Sequence, residues 1–345
     1  MWNIIGHAAP LAALNRALSS GSTSHAYVFC GPEGIGKRTV ALEFAAALNC
    51  ESAGEKPCGQ CRPCQLTLAG NHVDVEVLDT GGLCDESEHK DHSDSRILRI
   101  CQIRRLERIL SLSPYAGGRR VAIVDAADTL QTEAANAFLK TLEEPPAGAV
   151  IILLAEREER LPETVLSRCQ KLNFHRLDRD SIEAALIARG VPADEAAKAA
   201  SLANGRLGWA IQAIAEPELL EERGKVLDTV QRIAHAGRFE RLAWAKDAET
   251  RGIESRERYL RDLDLWESWW RDVLIVSSGG TGGLTNRDRQ TELLREGTLY
   301  SPAEVTVFLK SLLQTREYLQ VNVDAQLALE NLMLDLPRPR AASRV

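Results

Sequence analysis

Aromatic residues are scarce. Phe, Trp and Tyr make up 5% of the 345-residue chain, which disfavours a single-strand platform built on base stacking. Positive charge is not in excess. The 42 Lys and Arg stand against 49 Asp and Glu, a net charge of -7. That argues against a protein wrapped in nucleic acid over its whole surface, while leaving room for a local basic strip. No apolar run approaches the length of a membrane span, and no internal repeat is visible. The N-terminus, MWNIIGHAAP, has no basic region followed by an apolar core, so no secretory signal is expected. What remains is an ordinary globular composition, 44% hydrophobic and 26% charged, with length for two or three domains.

Cysteine, by contrast, is concentrated. Cys50, Cys58, Cys61 and Cys64 lie in NCESAGEKPCGQCRPC, a C-x7-C-x2-C-x2-C array. Four thiolates this close suit the closed tetrahedral shell of a structural Zn²⁺. Two overlapping C-x2-C steps plus a fourth Cys set this apart from chance clustering or a redox pair. A metal-type array without an export signal points to a reducing cytoplasm. Cys84, His89 and His92 lie in the polar stretch 81–95, read as a surface loop. Their spacing is irregular and the four-Cys array is complete without them, so no second metal site is expected.

From Tyr27 to Phe174 short apolar runs alternate with amphipathic segments. Strands are expected at Tyr27–Cys30, Val73–Leu78, Val121–Asp125, Val150–Leu154 and Gln170–Phe174. Helices are expected at Lys37–Leu48 and at Ile97–Leu110, the latter with Ile97, Ile100, Ile103, Leu106 and Ile109 on one side. This alternation predicts an α/β fold, a parallel sheet flanked by helices. After Leu177 the strands stop. Ser181–Arg189, Ala193–Ala203 and Leu207–Ile214 read as three short helices. The chain beyond Pro217 is helical, with Val305, Phe308, Leu309 and Leu312 in one stripe. Trp266, Trp269 and Trp270, at helical spacing, read as core. GGTGGLTN (279–286) reads as a flexible connection, and the tail PRPRAASRV as disordered.

Gly31-Pro-Glu-Gly34-Ile-Gly36-Lys37 follows a strand and precedes a helix, the setting of a phosphate-binding loop. Glycines let the backbone close on a phosphate and Lys37 adds charge. Such a loop then needs Ser or Thr to hold Mg²⁺. Arg38 stands there, and a guanidinium has no lone pair to offer a cation. Thr39 is rotated by about 100° and faces elsewhere. On the next acidic element Asp125 is present, but Ala126 follows where a Glu would polarise the attacking water. The fold is kept while the hydrolytic groups are missing.

The chain resembles the delta-prime branch of the AAA+ clamp-loader family of bacterial DNA polymerase III. The resemblance rests on IIGH (4–7), HAYVFCGPEGIGKRT (25–39), the four-Cys insert and QIRRL (102–106). It extends through SPYAGGRRVAIVDAADTLQTEAANAFLKTLEEPP (113–146) and SRC (167–169). It implies an AAA+ module over 1–176, a helical lid over 177–216, a collar over 217–337 and a short tail, 338–345. The family's ATP-hydrolysing gamma/tau subunits share these motifs. They carry Thr or Asn where this chain has Ala155 or Glu156, and a sensing Arg where it has Gly208. With Arg38 and Ala126, these departures imply a non-hydrolysing subunit. Gly31, Gly34, Gly36, Lys37 and Asp125 then form a degenerate nucleotide site. Arg168 would act in trans as an arginine finger on a neighbour's ATP; its plain alternative is a helix-end residue offsetting a dipole. Implied partners are gamma/tau and delta subunits and, through the complex, the sliding clamp and primed DNA; no membrane is implied.

Arg99, Arg104, Arg105 and Arg108 share a helix face, read either as solvated or as a contact to DNA phosphates or a neighbour. Two rival readings stay open: an ATP-hydrolysing gamma/tau-like motor subunit, and a zinc-containing regulator that binds DNA directly.

Overall fold

The computed structural model describes residues 2–84, 92, 95, 97–116, 118–246, 253–320 and 323–340. The chain forms two compact units, Met1–Ala185 with Gly205–Trp209, and Leu186–Asn204 with Ala210–Val345.

The first unit is built on five parallel strands: β1 (Ala26–Cys30), β2 (Val75–Leu78), β3 (Arg120–Val124), β4 (Ala149–Ala155) and β5 (Gln170–Asn173). Their order is β2-β3-β4-β1-β5. Strands β1, β3 and β4 are buried along their whole length. A parallel sheet covered on both faces requires such strands, and the continuous apolar runs of the sequence supply them. Successive side chains point to opposite faces, so β1 feeds two cores. Tyr27 and Phe29 pack with Leu14 of α1 (Ala8–Ser20) and with Val40 and Phe44 of α2 (Lys37–Leu48). Val28 packs with Ile103 and Leu106 of α4 (Ile100–Ser111) and Phe138 of α5 (Thr132–Glu143). Two short helices complete the unit's frame, α3 (Arg62–Leu68) and α6 (Glu163–Leu166).

All five expected strands are present. The α4 stripe differs from expectation. Its buried side is Cys101, Ile103, Leu106 and Leu110, whereas Ile97 is exposed. The cause is the helix start. Gln102 reaches back to the Arg99 amide in a capping box, so Ile97 lies before the helix.

Three short helices follow the last strand, α7 (Arg179–Ala188), α8 (Ala193–Leu202) and α9 (Leu207–Ala215). Within the second unit lie α10 (Glu218–His235), α11 (Arg238–Lys246), α12 (Ile253–Ser277), α13 (Gln290–Leu299), α14 (Pro302–Gln320) and α15 (Ala325–Asp335). Trp266, Trp269 and Trp270 are fully buried and pack with Val305, Phe308 and Leu312, so the tryptophans are core. The glycine-rich connection after α12 is not loose throughout. Asp272 is buried and accepts from the Thr285 and Asn286 amides at 3.1 and 2.7 Å. Burying that carboxylate is tolerated because these donors satisfy it, and they anchor the second half of the connection. In the tail, the Arg340 amide donates to Leu299 O at 2.9 Å; residues 341–345 lie outside the described residues.

Candidate functional site

The phosphate loop leaves the carboxyl end of β1 and enters α2. It is fastened from several sides. The Gly31 amide donates to Ala155 O at 3.2 Å and the Gly208 amide to Gly34 O at 2.7 Å. His7 Nε2 lies 3.0 Å from Ile35 O. Gly31 is required: its φ is +154° and a Cβ there would meet Phe174 O at 2.4 Å. A Cβ at Gly208 would meet Gly34 O at 2.7 Å. The backbone of residue 208 thus sits directly against the loop, with no room for a long cationic side chain in this arrangement.

Lys37 Nζ donates to Gly31 O and Pro32 O at 2.5 and 2.9 Å, the loop's own carbonyls. Burial pulls its pKa below the ordinary lysine value, against the opposing charges of Glu156, Asp125 and Asp128. Arg38 Nη1 lies 3.4 Å from Asp125 Oδ2. An exposed guanidinium therefore pairs loosely with this carboxylate. Thr39 is exposed. Ala126 takes a left-handed conformation, φ +51°, and its amide donates to Asp125 Oδ1 at 2.9 Å. The Glu156 amide donates to Asp128 Oδ1 at 3.2 Å. The structure brings Gly31, Gly34, Gly36, Lys37 and Asp125 together, with the carboxylates of Glu156 and Asp128 also near Lys37.

Arg168 follows α6 and precedes β5. Its Nη1 donates to Thr164 O at 2.7 Å, and its Nη2 donates to Glu143 Oε1 at 2.5 Å. The pairing of Tyr27 with Gln170 fixes its level on the sheet. Arg168 lies at the amino end of the strands and the phosphate loop at the carboxyl end. Gln170, the first residue of β5, stands level with Tyr27, four residues before Gly31, so at ~3.3 Å per residue the start of β5 and the loop are ~13 Å apart along the strand direction. Arg168 is therefore placed away from its own loop, and half-exposed.

The four cysteines sit at the other end of α2. Cys50 follows that helix, Cys61 caps α3 and Cys64 lies in its first turn. Their sulfurs all lie within 4.8 Å of one another. Cys58 to Cys64 and Cys61 to Cys50 are each 3.9 Å. A tetrahedron with Zn–S of about 2.3 Å has edges of about 3.8 Å, so the donor set fits zinc. Amide donation from Cys61 and Gln60 lowers the Cys58 pKa to about 6, favouring a thiolate. Burial pushes Cys64 the other way, a penalty that a bound cation offsets.

The polar stretch 81–95 meets a donor that its spacing does not show. Cys84 and His92 do converge with a third donor atom, on Cys101, and all three residues are buried. Sequence spacing missed this set because Cys101 belongs to a helix, not to the loop. His89 lies outside the described residues. Of the basic residues near α4, Arg105 pairs with Glu76, while Arg99, Arg104 and Arg108 are exposed.

Residues 6–178 match the family described as DNA polymerase III, delta subunit. That is half of the chain. The chain belongs to this family. A delta-prime subunit from Bacillus subtilis is 28% identical over 323 residues, 94% of each chain. The delta-prime subunit of Pseudomonas aeruginosa is 39% identical over 147 residues, 42% of each chain. The tau subunit of Bacillus subtilis is 34% identical over 181 residues, 52% of this chain and 30% of that one. The Bacillus subtilis delta-prime relative thus matches over nearly the full length, whereas the Pseudomonas aeruginosa delta-prime match covers 42% and the tau match 52% of this chain. No helix among the described residues is long and apolar enough to cross a membrane.

Proposed function

We propose that this chain is the non-hydrolysing delta-prime subunit of a DNA polymerase III clamp loader. In this reading it acts in the cytoplasm with gamma/tau and delta subunits, and their ATP drives loading of a sliding clamp onto primed DNA. The observation that carries the non-hydrolysing role is the Arg38–Asp125 pair. It puts a permanent protein cation where catalysis needs a hydrated metal, beside an Ala126 that cannot orient water. Arg168, at the strand end remote from its own loop, is the group offered to a neighbour's ATP. Its planar, permanent charge suits stabilisation of a transferring phosphoryl group. The four cysteines hold a structural zinc that fixes the start of α3 against the end of α2. The AAA+ module spans 1–176, the lid 177–216 and the assembly collar 217–337.

The rival motor reading is favoured only by the retained Lys37 and Asp125. Turnover of ATP by the isolated chain separates the two. Rates at the level of buffer blanks support the proposal. Turnover typical of a competent ATPase, and abolished by Lys37→Ala, overturns it. The zinc-dependent DNA-binding regulator is tested by mixing the isolated chain with primed DNA, where no binding is expected.

A further inference from the structure

We propose a second zinc site, formed by Cys84, His92 and Cys101 and separate from the four-cysteine knuckle. The three donor atoms lie within 4.8 Å of one another, and His92 Nε2 is 3.1 Å from Cys101 Sγ. All three residues are buried, at 5%, 8% and 5% exposure. Donors around a single zinc, with Zn–S of about 2.3 Å and Zn–N of about 2.0 Å, stand about 3.5–3.8 Å apart. The observed set reaches that spacing with small side-chain movements.

The donor chemistry selects the metal. Two thiols and an imidazole suit zinc, whereas magnesium and calcium require oxygen ligands. The positions do not depend on the metal alone. Cys101 is the second residue of α4. Gln102, its neighbour, is fully buried and donates from Nε2 to Asp79 O, Thr80 O and Gly82 O at 3.1, 3.3 and 2.9 Å. This clamp fixes the chain leaving β2 against the first turn of α4, and Cys84 follows two residues after Gly82. His92 lies against the Cys101 thiol, with the Cys84 thiol within 4.8 Å. With water as its fourth ligand, a metal here ties the long β2–α4 connection to the helix start. Binding is accompanied by loss of the two thiol protons.

The test is metal stoichiometry of the full chain, expressed with zinc and purified without chelator. Wild type should carry two zinc ions. The paired change Cys58→Ser with Cys61→Ser should leave one, and Cys84→Ser with Cys101→Ser should also leave one. The first variant also keeps the measurement independent of whether the second one folds. Loaded with cobalt, it should show the weaker thiolate charge-transfer band of a two-sulfur site, about half that of a four-sulfur site. His92→Ala should lower its cobalt affinity by 10-fold or more. Wild type with a single zinc, lost in Cys58→Ser with Cys61→Ser, overturns the second site and leaves the knuckle intact. Two ions unaffected by the Cys84 and Cys101 changes overturn it as well. So does a peptide mass lower by two hydrogens, which marks a Cys84–Cys101 disulfide. A second ion present while the knuckle variant loses none overturns the knuckle reading and not this one.

Discussion

Helix α2 carries a site at each end, and the two have fared differently. At its N-terminus the phosphate loop keeps its glycines, its lysine and its fastening to β4 and to residue 208. Beside it Arg38 lies 3.4 Å from Asp125, and Ala126 follows that carboxylate. About 18 Å away, at 1.5 Å per residue, Cys50 joins a donor set that is complete. In the proposed reading the first site is a frame without its chemistry. The second has chemistry that is itself the frame, since a metal shell holds little beyond its own ligands. A frame made of buried strands and backbone hydrogen bonds survives loss of two exposed side chains. A metal knuckle does not survive loss of one ligand.

The largest expected effect therefore lies at the knuckle. Cys61→Ser should release its zinc and lower stability by about 3 kcal/mol, roughly 5–10 °C in melting midpoint. Elemental analysis and thermal unfolding check this. An unchanged midpoint with zinc lost would remove the structural role. At the other end of α2, Arg38→Thr combined with Ala126→Glu restores a hydroxyl and a carboxylate. ATP turnover of the isolated chain should still stay at background, because residue 208 closes on Gly34 without a sensing cation. Turnover appearing in this variant would show that two side chains alone separate the silent site from an active one. The smallest effect is expected from Glu143→Gln. The Arg168–Glu143 pair is half-exposed, and such pairs contribute about 0–1 kcal/mol. The melting midpoint should move by no more than about 2 °C, while Arg168 is released from its intramolecular partner. A larger loss would make the pair structural.

Much of this contrast was legible in the residues. β1, β3 and β4 are buried on both faces and so read as unbroken apolar runs, which spacing alone identifies. The phosphate loop and the four-cysteine array are local in sequence, so their geometry follows from the chain order. The α4 stripe was read with Ile97 included because apolar periodicity does not show that Gln102 caps the helix at Arg99. The connection after α12 looked flexible because its glycines are visible, while the anchoring carboxylate of Asp272 is a long-range partner. The Cys84–His92–Cys101 set was missed for the same reason. Its third ligand belongs to a different element, and only the folded chain brings it in.

The most direct test of the central claim is DNA-stimulated ATP hydrolysis by the reconstituted complex with Arg168→Ala in this chain. The variant removes no buried core, so the chain should fold and assemble with normal stoichiometry. Loss of a trans arginine at one site can reach ~10³-fold; the total rate should fall by less, because only one of several ATP sites faces this subunit, and clamp loading should fall with it. Arg168→Lys should rescue poorly, since an ammonium lacks the planar fork. Wild-type hydrolysis and loading by a fully assembled Arg168→Ala complex would contradict the account and leave Arg168 as a helix-end residue bound to Glu143.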